Sequence, residues 1–142
     1  MSKFKARFFL IITAINWGAF ILLSLPFMLF ALIYDLVTTP RNSWLKCVVL
    51  LQDLAANVVQ GGHHKTYISS LLGYLKLTGS RGGTYAANVV DWIWLKIFKE
   101  ENHCIGAMKA GDVYDFSARR AIAGTVVYWL SLYLIYLGVT AL

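Results

Sequence analysis

Charge is scarce in this sequence. Only 14% of its 142 residues are Asp, Glu, Lys or Arg, while 58% are hydrophobic and 15% aromatic; soluble domains average about 25% charged. A chain this short cannot bury so much apolar surface in water, because small domains leave a large share of themselves exposed. Lipid must cover part of it. Cysteine is scarce too. Cys47 and Cys104 form no CxxC pair and no disulfide framework, which leaves two free thiols in an apolar or reducing setting. Strand alternation, internal repeats and low-complexity tails are absent, which argues against β and solenoid folds. HExxH, GxSxG and GxxxxGK[ST] are absent as well, and with them the usual metalloprotease, hydrolase-elbow and P-loop chemistries.

What is present is oil with basic edges. The net charge is +6, but no basic cluster exceeds a pair and no nucleic-acid motif occurs, so anionic lipid headgroups explain the surplus better than nucleic acid. Phe8 to Tyr34 carries no charge and exceeds the ~20 residues needed to cross hydrocarbon. Its basic start (Lys3, Lys5, Arg7) suits a signal peptide, but the run is too long and lacks a small-residue cleavage site, so an uncleaved span kinked at Pro26 is expected. Ala121 to Leu142 is the second uninterrupted run, entered through Arg119 and Arg120 and rich in interfacial rings at Tyr128, Trp129, Tyr133 and Tyr136.

The two basic edges conflict. Each favours a cytoplasmic start for the span that follows it, and two crossings cannot satisfy both. Three can, if Trp44 to Val59 also crosses or dips into the membrane. At 100° per residue, Lys46, Asp53 and Asn57 fall on one stripe of that segment, and such a stripe faces protein or water rather than lipid. The segment therefore reads as a membrane-embedded helix capped by Asn42 or Ser43 after Pro40. Thr84 to Glu100 reads as a further helix, with Asn88, Asp91, Lys96 and Lys99 on one side and Trp92 and Trp94 at headgroup depth. It is either interfacial and amphipathic or packed on the other helices. "TGSRGGT", Thr78 to Thr84, reads as a flexible connection. The expected fold is all-α and integral to the membrane: two transmembrane helices (8–34 and 121–142), a membrane-embedded helix (44–59) and an interfacial helix (84–100).

The polar residues collect in "NVVQGGHHKTYISSLLG", Asn57 to Gly73. His63, His64, His103 and Cys104 are zinc-type donors. Each pair is adjacent in sequence, so its side chains diverge, and a site would also need Asp53, Asp112 or Asp115. Ser69 or Ser70 with His63, or Cys104 with His64, can be drawn as a catalytic dyad; the structural alternative is caps and turns made by Thr66, Ser69 and Ser70. The favoured reading is a structural junction, in which Asp53 and Asn57 hydrogen-bond to the "GGHHKT" turn and support irregular backbone at membrane depth. No cofactor is expected.

Asp53, Asn57, Gly61, Gly62, Thr66, Ser69, Ser70 and Gly73, with His103 and Cys104 some thirty residues on, resemble a family of small membrane proteins of tailed phages and prophages. That pattern has an aspartate–asparagine helix, a glycine pair, an acidic-Glu-Thr-x-Ser-x-Arg segment and a later His-Cys. The resemblance covers roughly the central half of the chain. His64 and Lys65 stand where the family has its acidic pair, and Leu71 where it has arginine. The family has no assigned activity, so the resemblance implies a phage origin and a host inner-membrane setting, not a reaction. The expected function is a non-enzymatic, multi-pass membrane protein acting through self-assembly or a phage or host partner, in permeability, superinfection exclusion or genome entry. No GxxxG motif supports assembly. The alternatives are a small membrane hydrolase or metal enzyme using His63, His64, His103 and Cys104, and an adaptor that docks a soluble partner.

Overall fold

The architecture follows from where the chain's few polar side chains find one another. A computed structural model describes residues 2–38, 43–63, 65–114 and 116–141, with the Ser43 side chain outside that description; among the described residues there are six helices and no strand. α1, Lys3–Thr38, is 36 residues long, about 54 Å at helical rise. It takes in the basic start as well as the apolar run, and it is continuous through Pro26.

α2, Ser43–Val59, runs antiparallel to α1. Three polar contacts fix the register. The Asp35 carboxylate accepts from the Leu45 backbone amide at 2.9 Å, the Gln52 side-chain amide donates to the Ser24 hydroxyl, and the Thr13 hydroxyl donates to the Gln60 side-chain carbonyl at 3.1 Å. Trp44 closes the hairpin by meeting Phe27, Phe30 and Tyr34 edge-on. The expected caps, Asn42 or the Ser43 side chain, lie outside the described residues. The amide acceptor that is described at this end is Asp35, a carboxylate held at a helix N-terminus, where the helix dipole favours it.

Two helices were not expected. α3, Ile68–Leu77, begins in the middle of the supposed turn residues, and α5, His103–Gly106, interrupts the polar stretch after α4. Serines compete with helical backbone in isolation, but Ser69 and Ser70 are bound by groups distant in sequence and so tolerate the first turn of α3. α4, Arg81–Phe98, also begins earlier than expected. Ser80 caps it by accepting from the Gly83 amide at 3.3 Å, so Arg81, Gly82 and Gly83 form its first turn rather than a flexible connection. It ends at Lys99 in the left-handed conformation, φ 59°. α3 and α4 form an antiparallel hairpin, and a Cβ on Gly83 would collide with the Leu75 side chain.

α6, Ala118–Thr140, lies parallel to α1. Phe116 packs on Phe8 and Phe9, Asn16 donates to the Thr125 hydroxyl at 2.8 Å, and Phe20 stacks on Tyr128 at 4.9 Å. Glycine permits the approach of α6 to the end of α2: a Cβ on Gly124 would strike the Val59 carbonyl.

The core is small. Phe9, Ile68, Leu72 and Leu75 are its largest fully buried apolar side chains, joined by Ala56, Ala87 and Cys104. A second cluster of Ala31, Leu45 and Val48, with Phe98 against it, holds the C-terminal end of α4 beside the far end of the α1–α2 hairpin. Outside these clusters the apolar surface lies open. α1 and α6 are each long and apolar enough to cross a membrane, and α6 buries Ala121 alone among its residues.

Candidate functional site

The polar stretch folds around two side chains of α2. Asp53 is 1% exposed and Asn57 2%. The Asp53 carboxylate accepts from the Ser69 hydroxyl at 2.6 Å and from the Ser69 amide at 3.3 Å, at the first turn of α3. The Asn57 amide donates to the carbonyls of His63 (3.0 Å) and Thr66 (2.5 Å), and its own backbone carbonyl accepts from the Gly62 amide at 2.9 Å. Asn57 therefore bonds to the turn, while Asp53 reaches past the turn to the next helix. The two glycines have separate reasons. Gly61 sits at φ +71° with Arg120 against it, and a Cβ on Gly62 would overlap the Asn57 side chain.

The later half of the pattern packs on the earlier half. A Cβ on Gly73 would collide with the Cys104 carbonyl, and the Ser70 hydroxyl donates to the Ala107 carbonyl at 2.9 Å. Ser70 is fully buried, and its proton is committed to that carbonyl rather than to a histidine. Cys104 is fully buried as well; its sulfur lies 3.6 Å from the Ala87 carbonyl and its amide donates to Asp91 at 2.7 Å. Burial, with Asp91 close by, pushes the thiol far up, away from the reactive thiolate.

His103 diverges from Cys104, as adjacent residues must. Its ring stacks on Trp94 with centroids 3.8 Å apart, and Nδ1 lies 3.4 Å from the Glu100 carboxylate. Glu100 also accepts from the Trp94 indole at 2.9 Å and pairs with Lys46 of α2. The Lys46 ammonium holds the Glu100 carboxyl below its ordinary range, whereas burial lowers His103 despite the carboxylate beside it. Asp91 is pushed up by burial, but the Cys104 amide and Lys76 more than offset this, leaving it below its ordinary value. Trp94, expected at headgroup depth, is instead 3% exposed; Trp92 is 61% exposed and points outward. α4 is thus a packed helix with an apolar outer face, and Asp91 lies on its packed side. A cleft of about 420 Å³ opens beside this network, lined in part by Lys46, Tyr67, His103 and Lys109.

Among the described residues no three His, Cys, Asp or Glu side chains come together as a metal-binding group. His63 is partly exposed in the turn, its Nδ1 accepting from the Lys65 amide at 3.3 Å, whereas His103 lies on Trp94. His64 and Asp115 lie outside the described residues. What the arrangement does is hold: α2, α3 and α5 are tied by polar bonds through a core that has few large apolar side chains. Sequence reasoning missed Gln60, although Asp53, Asn57 and Gln60 repeat at helical spacing. It also missed Thr13 and Asn16, lone polar residues in a charge-free span, which face protein as such residues do. The Lys76–Asp91 pair, 2.9 Å apart, had no local signal. Compared with protein-family models, with curated proteins and with solved structures, the chain matches none.

Proposed function

We propose that the protein is a non-enzymatic, multi-pass protein of a bacterial inner membrane, encoded by a phage or prophage, that acts by packing its outer helices against a second copy or a membrane partner. The observation that carries this is α6: twenty-three residues, free of charge after Arg120, with Ala121 alone buried. A helix of this kind costs too much in water to persist without lipid or another helix around it. The placement of Ser70 and Cys104 supports the non-enzymatic part, since each of these nucleophile candidates is buried and bonded to backbone. The phage origin rests on the residues of the junction that resemble the phage family.

Two measurements on expressing cells test the proposal. The chain should stay with the membrane pellet through alkaline carbonate washing, and a bifunctional cross-linker applied to those membranes should trap α6 against a discrete partner. Release by carbonate would overturn the membrane assignment. Retention with α6 trapped only to lipid would overturn the assembly role.

A further inference from the structure

Three helices begin at the same end of the molecule. Phe116, just before α6, lies on Phe8 and Phe9 of α1, and a Cβ on Gly82 in the first turn of α4 would touch Leu10. The starts of α4 and α6 therefore each lie against residues 8–10 of α1, within about two turns of its N-terminus. Each carries cations: Lys3, Lys5 and Arg7 on α1, Arg81 on α4, Arg119 and Arg120 on α6. All six are exposed, and none makes an ion pair among the described residues. None of the three helices has an acidic residue in its first turn. Removing these six from the thirteen Lys and Arg leaves seven cations against the seven carboxylates of the sequence, so the six equal the net charge of +6.

That arrangement works against itself within the chain. A helix N-terminus is the positive end of its dipole and disfavours cations, yet three N-termini and six cations converge here. The C-terminus of α2, the negative end of its own dipole, answers part of this with Gly61 against Arg120. No carboxylate among the described residues pairs with the six, and an anion outside the chain would complete them. The far end differs: there Lys46 is paired with Glu100, and Lys96 and Lys99 stand near Glu100 and Glu101 in sequence.

We propose that this collar is a docking surface for anionic phospholipid headgroups, and that it holds the N-termini of α1 and α6 at the anionic cytoplasmic leaflet. The inference rests on the membrane reading above. It also answers the orientation conflict: α2 returns antiparallel along α1 from Asp35 to Thr13, so α1 and α6 point the same way and both basic edges reach one leaflet. α2 spans 17 residues, about 25 Å, close to the hydrocarbon thickness of about 30 Å. Anionic lipid fits the collar better than nucleic acid, because five of the six charges stand at the entries of the two apolar helices and the sixth, Arg81, at the start of α4.

The test combines orientation and lipid capture in the full chain. In a Cys47→Ser background, with Cys104 buried, Ser2→Cys and Thr38→Cys each place one thiol at opposite ends of α1. A membrane-impermeant maleimide applied to intact spheroplasts should label Thr38→Cys, and Ser2→Cys only after lysis. Changing all six collar cations to Gln should make labelling of both thiols mixed. Native mass spectrometry of protein extracted from vesicles of equal phosphatidylglycerol and phosphatidylcholine should show phosphatidylglycerol enriched by at least about five-fold, the effect of one cation at an anionic surface. The six-Gln variant should lose that enrichment, and a Lys96→Gln, Lys99→Gln variant should keep it. Enrichment or one-sided labelling that survives in the six-Gln variant would overturn the inference. So would nuclease-sensitive nucleic acid bound to the collar in place of lipid. Release of the unaltered chain by alkaline carbonate would instead overturn the membrane reading itself.

Discussion

A single methyl group decides the packing at Gly73. Alanine is the better helix former by about 0.5–1 kcal/mol, but here its Cβ would run into the Cys104 carbonyl, which is backbone and cannot swing aside. Overpacking of this kind costs about 1–3 kcal/mol, so the clash outweighs the propensity gain. Gly73→Ala should lower the thermal midpoint in detergent, while Gly106→Ala, with nothing within 4 Å of its added Cβ, should leave it unchanged or raise it. His103 supplies the second residue-scale expectation. Burial holds its folded pKa below the ordinary value of 6.5, so the folded state binds fewer protons than the unfolded chain in that range. Its contribution is present above pH 6.5 and is lost as pH falls toward the depressed value. The wild-type midpoint should drop on acidification below about pH 6.5 relative to His103→Phe, which keeps a ring on Trp94 but cannot titrate. Parallel midpoint-versus-pH curves for the two proteins would refute this.

At the scale of elements, small residues and paired polar groups do what a large core does elsewhere. α6 meets the rest of the molecule along a short seam, where Gly124 admits the Val59 carbonyl and Asn16 donates to Thr125. Gly124→Leu should separate that seam. An Asn16→Cys, Thr125→Cys pair should be joined readily by oxidation or a short bis-maleimide, and adding Gly124→Leu should reduce that cross-linking several-fold while α3–α5 stay folded. Undiminished cross-linking would mean that the Phe20–Tyr128 stack alone seats α6. The junction around Asp53 and Asn57 is the same device turned inward. Its bonds run to backbone amides and carbonyls of the neighbouring turn and of α3, which lets a short connection sit against the apolar core. Thr66 Oγ1 and Gln60 Nε2 stay buried with no hydrogen-bond partner among the described residues.

At the scale of the whole molecule, much of the apolar surface of α1, α4 and α6 lies exposed. Trp129 on α6 is 44% exposed, Trp92 on the outer face of α4 61%, and Trp94 3%. In vesicles whose acyl chains carry bromine, a protein retaining only Trp129 should be strongly quenched, and one retaining only Trp94 should be nearly unaffected. The Trp92 protein reports whether the outer face of α4 also meets acyl chains. Equal quenching at Trp94 and Trp129 would mean that the packing around His103 loosens in lipid.

The sequence by itself determined the helical class and two runs long and apolar enough to cross a membrane. Long charge-free runs fit helices, because a helix pairs its own backbone whatever the tertiary arrangement. Helical periodicity also determined that Asp53 and Asn57 share a face, and that α2 exists with nearly its observed bounds, since one polar stripe on an apolar segment is a local property. α3 was illegible for the opposite reason. Ser69 and Ser70 read as turn formers until Asp53 and the Ala107 carbonyl, distant in sequence, accept their hydroxyls. Trp94 and Trp92 are two residues apart and alike in the sequence; only the packing of α4 on α3 and α5 buries the first and exposes the second. The tertiary structure alone decided that His103 lies on Trp94, that Ser70 faces a carbonyl, and that three basic helix starts meet at one end. Such facts depend on contacts between elements far apart in the chain, and a linear pattern does not encode them.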